Sequence, residues 1–294
     1  MAREAPKHEA SDPIENHLDH LVERCLQVLS ARPSAVATDI DGTISAIAAT
    51  PDLAAVVPAA KDALHILSQH LKHVAVITGR TAENAELMLG LDGIVYIGNH
   101  GLEQRWLGET RDNSAALETI EAICSALVDL EQAIAHRDLS DGVLFENKRL
   151  SASIHYRLAP RRDQIGSELA AIIERSAIDH GIRMTEGRYV FELRPAITVN
   201  KGTAALDLIE DNDLKGIVFL GDDVTDIDAF RVIRASTANG IVRGLTIAVS
   251  SPETHTLVTA EADEAVEGVD GAVMLLQRLA ERVVSEENAP TPVG

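Results

Sequence analysis

Short apolar runs alternate with amphipathic segments along most of the chain. Three runs rich in valine, isoleucine and alanine, at 35–39, 74–78 and 94–98, are continuous, which is typical of parallel strands buried on both faces. Between them, apolar residues recur at helical spacing over 58–71 and 82–89. This alternation predicts an α/β fold with a doubly wound, mainly parallel sheet and right-handed crossovers.

The pattern changes in the middle of the chain. Two segments, at 150–157 and 189–194, alternate polar with apolar residues as half-exposed strands do, and a helical pattern over 161–180 separates them. The parallel pattern then resumes with the buried runs 216–220 and 245–249. We therefore predict a small α+β domain inserted into the larger one.

These patterns divide the 294 residues into four predicted segments. They are an N-terminal helical extension (1–34), a core domain in two parts (35–105 and 196–285), an inserted α+β domain (106–195) and a disordered tail (286–294). The tail is assigned on its two prolines and its lack of an apolar pattern.

Composition excludes several classes of function. A net charge of −20 and an aromatic content of 3% oppose nucleic-acid binding, because the charge repels phosphates and few rings are left to stack on bases. No run has the length of a membrane span, and the first residues lack the apolar core of a signal peptide, so we expect a cytoplasmic protein without a nucleic-acid or membrane partner. Cys25 and Cys124 lie in separate helical patterns, which favours reduced packing residues.

Two carboxylates lie one residue apart where the first strand ends. The run leads into Thr-Asp-Ile-Asp-Gly-Thr, in which Asp39 and Asp41 are followed by Gly42, a residue that lets the backbone turn sharply. Such a pair offers one carboxylate as a nucleophile or hard oxygen ligand and a second just beyond it. An ordinary polar turn uses the same residue types, so the downstream motifs decide between these interpretations.

Three further motifs follow at the ends of predicted α/β units. Thr78, Gly79 and Arg80 come after the second strand, where a hydroxyl and backbone amides would hold phosphoryl oxygens. Lys201 begins a predicted helix just after the inserted domain. The segment 221–226 places three carboxylates around one turn, and so much buried negative charge is costly without a cation.

In this order, the four motifs resemble the haloacid dehalogenase superfamily of phosphatases, over residues 35–104 and 198–279. In that superfamily the insertion between the second and third motifs is a cap that closes over the substrate. The resemblance therefore implies a haloacid dehalogenase-like Rossmannoid catalytic core with an α+β cap domain.

The insertion is similar to that of trehalose-6-phosphate phosphatases. The segments that carry this similarity are Gly98–Glu103, Phe145–Lys148, His155–Arg157, Glu192–Pro195 and Gly221–Asp226 with Ala229 and Phe230. Two positions depart from that family: Ile227 stands where an acidic residue is usual, and Arg188 where a lysine is usual. The family implies Mg²⁺-dependent hydrolysis of trehalose 6-phosphate to trehalose and phosphate.

The resemblance also implies a role for each motif residue. Asp39 is expected to be the nucleophile that forms an aspartyl-phosphate. Asp41 would protonate the leaving sugar oxygen and later accept a proton from the attacking water. Lys201 would offset negative charge, and Thr78 would donate a hydrogen bond to a phosphoryl oxygen.

Mg²⁺ is the implied cofactor, since the motifs offer carboxylate and carbonyl oxygens and no soft ligand. The expected ligands are Asp39, Asp222 and the backbone carbonyl of Asp41. Asp223 and Asp226 are expected behind them, where they would orient the ligands or the lysine.

The expected substrate contacts come from both domains. They are Asp39, Asp41, Gly42, Thr78, Gly79, Arg80, His100, Glu103, Glu146, Lys148 and Glu192. Glu146 and Lys148 share one side of an extended segment, so both would reach the hydroxyls of a disaccharide. His155 and Arg157 either join them or brace the sheet.

Three alternatives stay open. Another sugar phosphate, such as sucrose phosphate, would use the same core, and the core alone is also compatible with a phosphomutase. From a different class, the chain would be an inactive binding partner that regulates a trehalose-phosphate synthase, although the intact Asp39, Asp41 and Lys201 argue against this. A separate trehalose-phosphate synthase is the candidate protein partner.

Overall fold

The structure, a computed structural model, describes residues 13–287, with side chains from 16 to 286. This part of the chain contains ten α-helices and twelve strands. The strands are β1 (Ser34–Thr38), β2 (His73–Ile77), β3 (Val95–Gly98), β4 (Glu103–Trp106), β5 (Glu109–Asp112), β6 (Leu144–Asn147), β7 (Ala152–His155), β8 (Arg183–Gly187), β9 (Val190–Arg194), β10 (Gly216–Gly221), β11 (Arg243–Ser250) and β12 (Glu264–Glu267). The helices are α1 (Pro13–Leu29), α2 (Pro58–His70), α3 (Ala82–Leu89), α4 (Ser114–Leu117), α5 (Ile120–Ala135), α6 (Arg162–Asp179), α7 (Lys201–Asp211), α8 (Asp226–Ala238), α9 (Thr256–Glu261) and α10 (Gly268–Glu287).

Eight strands form the large sheet, in the order β12-β11-β10-β1-β2-β3-β4-β5. Neighbours from β12 to β3 pair in parallel, whereas β4 and β5 are antiparallel at one edge. The predicted α/β fold with a mainly parallel sheet is therefore confirmed. Thr38 lies beside Leu220 on one side and Val76 on the other, so the carboxyl ends of three motif-bearing strands meet at one edge.

Helices cover both faces of this sheet. Leu21 and Cys25 of α1 lie fully buried in the apolar layer that α2, α3 and α10 complete. On the other face, α7 and α8 cover Phe219, whose ring meets that of Phe230 edge to face with 5.8 Å between centroids. The expected N-terminal helix is thus a part of the core, and residues 1–12 of the predicted extension lie outside the described residues. No helix within 13–287 is long and apolar enough to cross a bilayer.

A second, four-stranded sheet forms the inserted domain, with antiparallel strands in the order β6-β7-β9-β8. Its apolar face, which includes Ile154 and Phe191, packs under α5 and α6. Its other face is polar, because Glu146, Ser153 and Glu192 are neighbours in register. This polar face borders a cavity shared with the carboxyl edge of the large sheet.

Two predicted boundaries differ from the structure. The large sheet continues to Asp112, beyond the predicted limit at 105, because β4 pairs with β3 and β5 pairs with β4. This hairpin is mostly polar and exposed, so no apolar alternation revealed it. Helix α10 includes Glu286 and Glu287, contrary to the predicted tail, whose other residues, 288–294, lie outside the described residues.

Candidate active site

Asp39 lies directly after β1 and is buried. Its amide donates to the carbonyl of Leu220 at 3.0 Å, which continues the β1–β10 pairing by one residue. Its Oδ2 is 2.8 Å from Lys201 Nζ. Its Oδ1 is buried and has no hydrogen-bond partner within the described part of the chain. An ionised carboxylate with one oxygen left unpaired in the interior is suited to bind a cation or attack an electrophile.

Lys201 occupies the first turn of α7. Asn200 caps this helix, since its side chain accepts from the Thr203 amide at 2.9 Å. The ammonium is buried between two carboxylates, 2.8 Å from Asp39 Oδ2 and 2.7 Å from Asp226 Oδ1. Burial lowers the pKa of Lys201, but Asp226 and Asp39 outweigh burial and raise it above its ordinary value, so the lysine is charged.

Asp226 closes the acidic turn that follows β10. Its Oδ2 accepts from the amides of Asp222 and Asp223, at 3.1 and 3.0 Å, and its Oδ1 accepts from Lys201. Because both oxygens already have protein donors, Asp226 holds the turn and the lysine together. Asp222 lies beside the turn after β1, and its Oδ1 accepts from the Thr43 hydroxyl at 3.3 Å.

Gly42 makes room for Asp222. Its φ of +87° suits glycine, and a Cβ at this position would lie 2.0 Å from Asp222 Oδ2. Gly42 does not line the cavity, so the structure gives it a packing role where we expected a substrate contact.

The carboxylates leave an excess of negative charge. Oxygens of Asp39, Asp222 and Asp226 lie within 4.8 Å of one another, and Lys201 supplies one positive charge beside them. Burial raises the pKa of Asp39 to about 6 and also raises the pKa values of Asp222 and Asp226. Repulsion from the neighbouring carboxylates raises all three further. The unpaired Asp39 Oδ1 and this hard-oxygen donor set fit a divalent cation such as Mg²⁺.

Arg80 pairs with Asp41 across the cavity floor. Its Nε is 2.6 Å from Asp41 Oδ2 and its Nη2 is 2.8 Å from Asp41 Oδ1, which is a two-pronged contact. Asn84 and the carbonyl of Pro51 accept from the same guanidinium, at 2.9 and 3.2 Å. Arg80 therefore lines the cavity but donates mostly to groups of the protein.

The turn after β2 meets the inserted domain. Thr78 is buried, and its hydroxyl accepts from the Arg80 amide at 3.3 Å. A Cβ at Gly79 would lie 2.6 Å from His100 Nε2, so only glycine lets the ring pack here. The carbonyl of Gly79 accepts from Lys148 Nζ at 2.9 Å, which joins the two domains.

Glu192 connects several groups at the polar face of the small sheet. Its Oε2 is 2.8 Å from His100 Nε2 and its Oε1 is 3.3 Å from Lys148 Nζ. Burial lowers the pKa of His100 and so favours the neutral ring. Burial opposes ionisation of Glu192 as well, but His100, Lys148 and Arg194 hold the pKa of this carboxyl well below its usual range.

Glu146 lies next to this group. Its Oε2 is 3.0 Å from His155 Nε2 and 4.0 Å from Lys148 Nζ. Burial would raise the pKa of Glu146, but His155 and Lys148 lower it below its ordinary value. The polar face thus presents ionised carboxylates and an ammonium together.

One cavity of about 390 Å³ brings these groups together between the two domains. The sequence-predicted residues that line it are Asp39, Asp41, Thr78, Gly79, Arg80, His100, Glu146, Lys148, Glu192, Lys201, Asp222 and Asp223. His155 and Arg157 line it too. Its volume is within the usual range for small-molecule sites.

A family model for trehalose-phosphatases matches residues 37–264, which include both the acidic edge and the inserted domain. The chain belongs to the trehalose-phosphatase family. It is 37% identical over 211 residues to a trehalose-phosphate phosphatase of Mycobacterium tuberculosis H37Rv, a match that covers 70% of this chain and 52% of the relative. A second relative, from Mycobacterium leprae, is 35% identical over 223 residues, which are 72% of this chain and 51% of the relative. The chain spans about half the length of these relatives.

Solved structures of this family show the same fold. A trehalose-6-phosphate phosphatase related protein superposes with a TM-score of 0.71 at 23% identity, over 86% of this chain and 99% of the other. The C-terminal domain of the Candida albicans trehalose-6-phosphate phosphatase also gives 0.71, at 20% identity, over 90% and 96%.

Glu103 lies outside the cavity of this trehalose-phosphatase family member, contrary to our expectation. Its Oε1 accepts from the amide of Ala82 and from Asn99 Nδ2, at 2.9 and 2.8 Å. Its Oε2 is 3.5 Å from Arg149 Nη2. With its oxygens used in this way, Glu103 connects the start of α3 to Asn99 and to Arg149 of the inserted domain.

Part of the cavity wall was not predicted from the sequence. The residues concerned are Ile47, Ala48, Ala49, Thr50, Pro51, Ser153, Arg183, Thr185, Arg188 and Arg194. The alternation in β7, β8 and β9 was a usable signal for the cap residues, since one polar side of each strand faces the cavity. Segment 47–51 carries no motif, and only the tertiary fold places it there.

Proposed function

We propose that this chain is a Mg²⁺-dependent phosphatase that hydrolyses trehalose 6-phosphate to trehalose and phosphate through an aspartyl-phosphate on Asp39. The observation that supports it most is the Asp39 carboxylate, which has one oxygen paired with Lys201 and the other unpaired in a cavity under a cap. Membership in the trehalose-phosphatase family supports the choice of substrate.

In the first step, Asp39 attacks phosphorus while the bond from phosphorus to the sugar oxygen breaks. Asp41 supplies the proton that the leaving oxygen needs, and Lys201 and Thr78 stabilise charge on the phosphoryl oxygens. In the second step, water attacks phosphorus and gives a proton to Asp41. The bond from phosphorus to the Asp39 oxygen breaks, so that the Asp39 carboxylate is restored and phosphate is released.

Mg²⁺ would be held by the carboxylates of Asp39 and Asp222 and by the backbone carbonyl of Asp41. When bound, it neutralises negative charge on the carboxylates and the phosphoryl group. Asp226 would support the site indirectly, because it holds Lys201 and the amides of the turn. Asp223 lines the cavity beside this group and would help to orient it.

The polar face of the cap would recognise the sugar. Glu146, Lys148 and Glu192 offer charged donors and acceptors, and Ser153 is next to Glu192 in the cavity wall. A disaccharide rich in hydroxyls would satisfy the lone pairs and N–H groups that their contacts with one another leave free, whereas a ligand without these hydroxyls would cover those groups unpaired.

Phosphate release from a panel of sugar phosphates, with Mg²⁺ and with a chelator, tests this proposal. We expect trehalose 6-phosphate to react much faster than glucose 6-phosphate and sucrose 6-phosphate, and only with Mg²⁺. Asp39→Asn should abolish release, and Asp207→Asn, an exposed change on α7, should not affect it. Equal rates for trehalose 6-phosphate and glucose 6-phosphate, or an active Asp39→Asn variant, would refute the proposal.

We further propose that the enzyme works in the cytoplasm, beside a separate trehalose-phosphate synthase. Both cysteines are free, as is usual in a reducing compartment, and burial raises the pKa of the Cys25 thiol to about 12. Fractionation of cells for this protein and the synthase tests the location, and co-elution of the two purified proteins tests the partnership.

A further inference from the structure

The donors of Arg80 are engaged by groups of the protein. Nε and Nη2 donate to the two oxygens of Asp41, Nη1 donates to Asn84 Oδ1, and Nη2 also donates to the carbonyl of Pro51. A guanidinium has five N–H groups, so these contacts leave little for a phosphoryl or sugar oxygen. Arg80 is therefore poorly placed to bind the substrate, although its position in the second motif predicted that role.

The contact with Asp41 fixes an orientation as well as a charge. Two parallel hydrogen bonds from a planar guanidinium hold both the position and the plane of a carboxylate. The Asp41 side chain is 36% exposed, so without Arg80 it would rotate freely at the cavity floor. Arg80 in turn is only 12% exposed and is anchored through Asn84 and Pro51.

We propose that Arg80 is a positioning residue that holds the Asp41 carboxylate in the orientation needed for proton transfer to the leaving oxygen. The inference rests on the proposed phosphatase function, in which Asp41 handles that proton. A protonated Asp41 would still accept from Arg80 through its other oxygen, so one hydrogen bond keeps the orientation during the transfer.

The chemistry of the leaving group separates this role from direct substrate binding. As the bond between Asp39 and phosphorus forms, the bond from phosphorus to the leaving oxygen breaks, and a sugar alkoxide takes the Asp41 proton. A nitrophenolate is stable without that proton. The parameter kcat/KM reports the steps up to formation of the aspartyl-phosphate. Loss of Arg80 should therefore lower kcat/KM for sugar phosphates and leave kcat/KM for p-nitrophenyl phosphate almost unchanged.

The experiment compares kcat/KM for trehalose 6-phosphate and p-nitrophenyl phosphate in six variants. Asp41→Asn sets the scale, with a loss of about 10²–10⁴-fold on the sugar phosphate. Arg80→Gln should lose a large part of that factor on the sugar phosphate alone, through kcat and not through KM. Arg80→Lys, which keeps charge without the fork, should lose less. The double variant that combines Arg80→Gln with Asp41→Asn should hydrolyse trehalose 6-phosphate no more slowly than Asp41→Asn alone.

Asn84→Ala tests the positioning chain without touching the cavity, because Asn84 does not line it. It should give a smaller loss with the same preference for the sugar phosphate. Arg105→Gln is the matched control: it breaks another arginine–carboxylate pair, between Arg105 on β4 and Glu86 on α3, outside the cavity. It should change neither substrate.

Three outcomes would overturn the proposal. A rise in KM for both substrates with kcat unchanged makes Arg80 a substrate ligand. Equal losses on both substrates, in variants that unfold at the wild-type temperature, make it a phosphate-site or general structural residue. Additive losses in the double variant make it independent of Asp41. If the wild-type protein hydrolyses other sugar phosphates but not trehalose 6-phosphate, the proposed substrate fails, and the same comparison then uses the best sugar phosphate.

Discussion

Replacement of Lys201 by methionine removes a cation that contacts both Asp39 and Asp226. Methionine keeps most of the side-chain length, so the change is mainly one of charge. Lys201 is only 1% exposed, and its nitrogen lies 2.8 and 2.7 Å from the two carboxylates. Removal of one partner from a buried ion pair costs about 3–5 kcal/mol, because it leaves uncompensated charge in the interior. A loss of this size is a large part of the total stability of about 5–15 kcal/mol of an ordinary domain.

The assay is urea unfolding in a chelator, at neutral pH, with Lys215→Met as the control. Lys215 is exposed, so its loss should change the free energy of unfolding by no more than about 0.5 kcal/mol. Addition of Asp226→Asn to Lys201→Met should recover stability, because it removes one of the carboxylates left unpaired. Mg²⁺ should recover stability as well if it binds the acidic cluster of the folded state.

The sign of the pH dependence follows from Asp39. Burial already raises the pKa of Asp39 to about 6 with Lys201 present, and loss of the lysine removes an opposing influence and raises it further. A raised carboxyl pKa means that the folded state binds protons more tightly than the unfolded state, so stability lost at high pH returns as the pH falls. The destabilisation by Lys201→Met should thus shrink on acidification. A deficit below about 1 kcal/mol, or one that grows with acid, would falsify this account of the charge cluster.

Three other changes probe separate parts of the structure. Gly42→Ala should weaken Mg²⁺ binding in a metal titration and lower the free energy of unfolding by more than Gly90→Ala does. Gly90 has a similar positive φ but open space around it, so its replacement should lower the free energy of unfolding by about 1–2 kcal/mol. Equal losses in the two variants would show that the clash with Asp222 is unimportant. Glu103→Gln should lower the free energy of unfolding by about 1–3 kcal/mol with KM unchanged, and a raised KM would return Glu103 to the substrate site. His100→Asn keeps a residue that tolerates the positive φ of 56°. Because burial lowers the pKa of His100, the unfolded chain binds a proton at this residue more readily than the folded protein does below about pH 6.5. The free energy of unfolding of the wild-type protein should therefore fall more steeply with acid in this range than that of His100→Asn. An identical pH dependence of the two free energies would contradict this.

The parallel strands and the motif residues at their ends were predictable from the sequence because both depend on local patterns. A strand buried on both faces must be apolar throughout, and its polar end is then conspicuous. The β4–β5 hairpin escaped prediction because it is an exposed edge, where polar residues are tolerated. Its pairing with β3 depends on the backbone and leaves no apolar signature.

Contacts within the site were less predictable. Asp41 and Arg80 are far apart in sequence, and the pairing of β1 with β2 brings the turns that carry them together. The sequence placed both residues at one edge without indicating that they would bind each other. Glu103 shows the opposite problem, because it lies close to His100 in one motif, yet the backbone turns between them and sends the two side chains to different places.

The hydrogen bond from Lys148 to the carbonyl of Gly79 ties the polar face of the cap, which we propose recognises the sugar, to the turn that carries Thr78. If these proposed roles hold, a change to the sugar site on the cap will also disturb the turn that takes part in the chemistry. A cap grafted from a relative with another sugar preference would also have to supply a donor at this point, or the turn would lose one of its supports. Redesign of the substrate range should start from Glu146 or Ser153 and keep Lys148 in place.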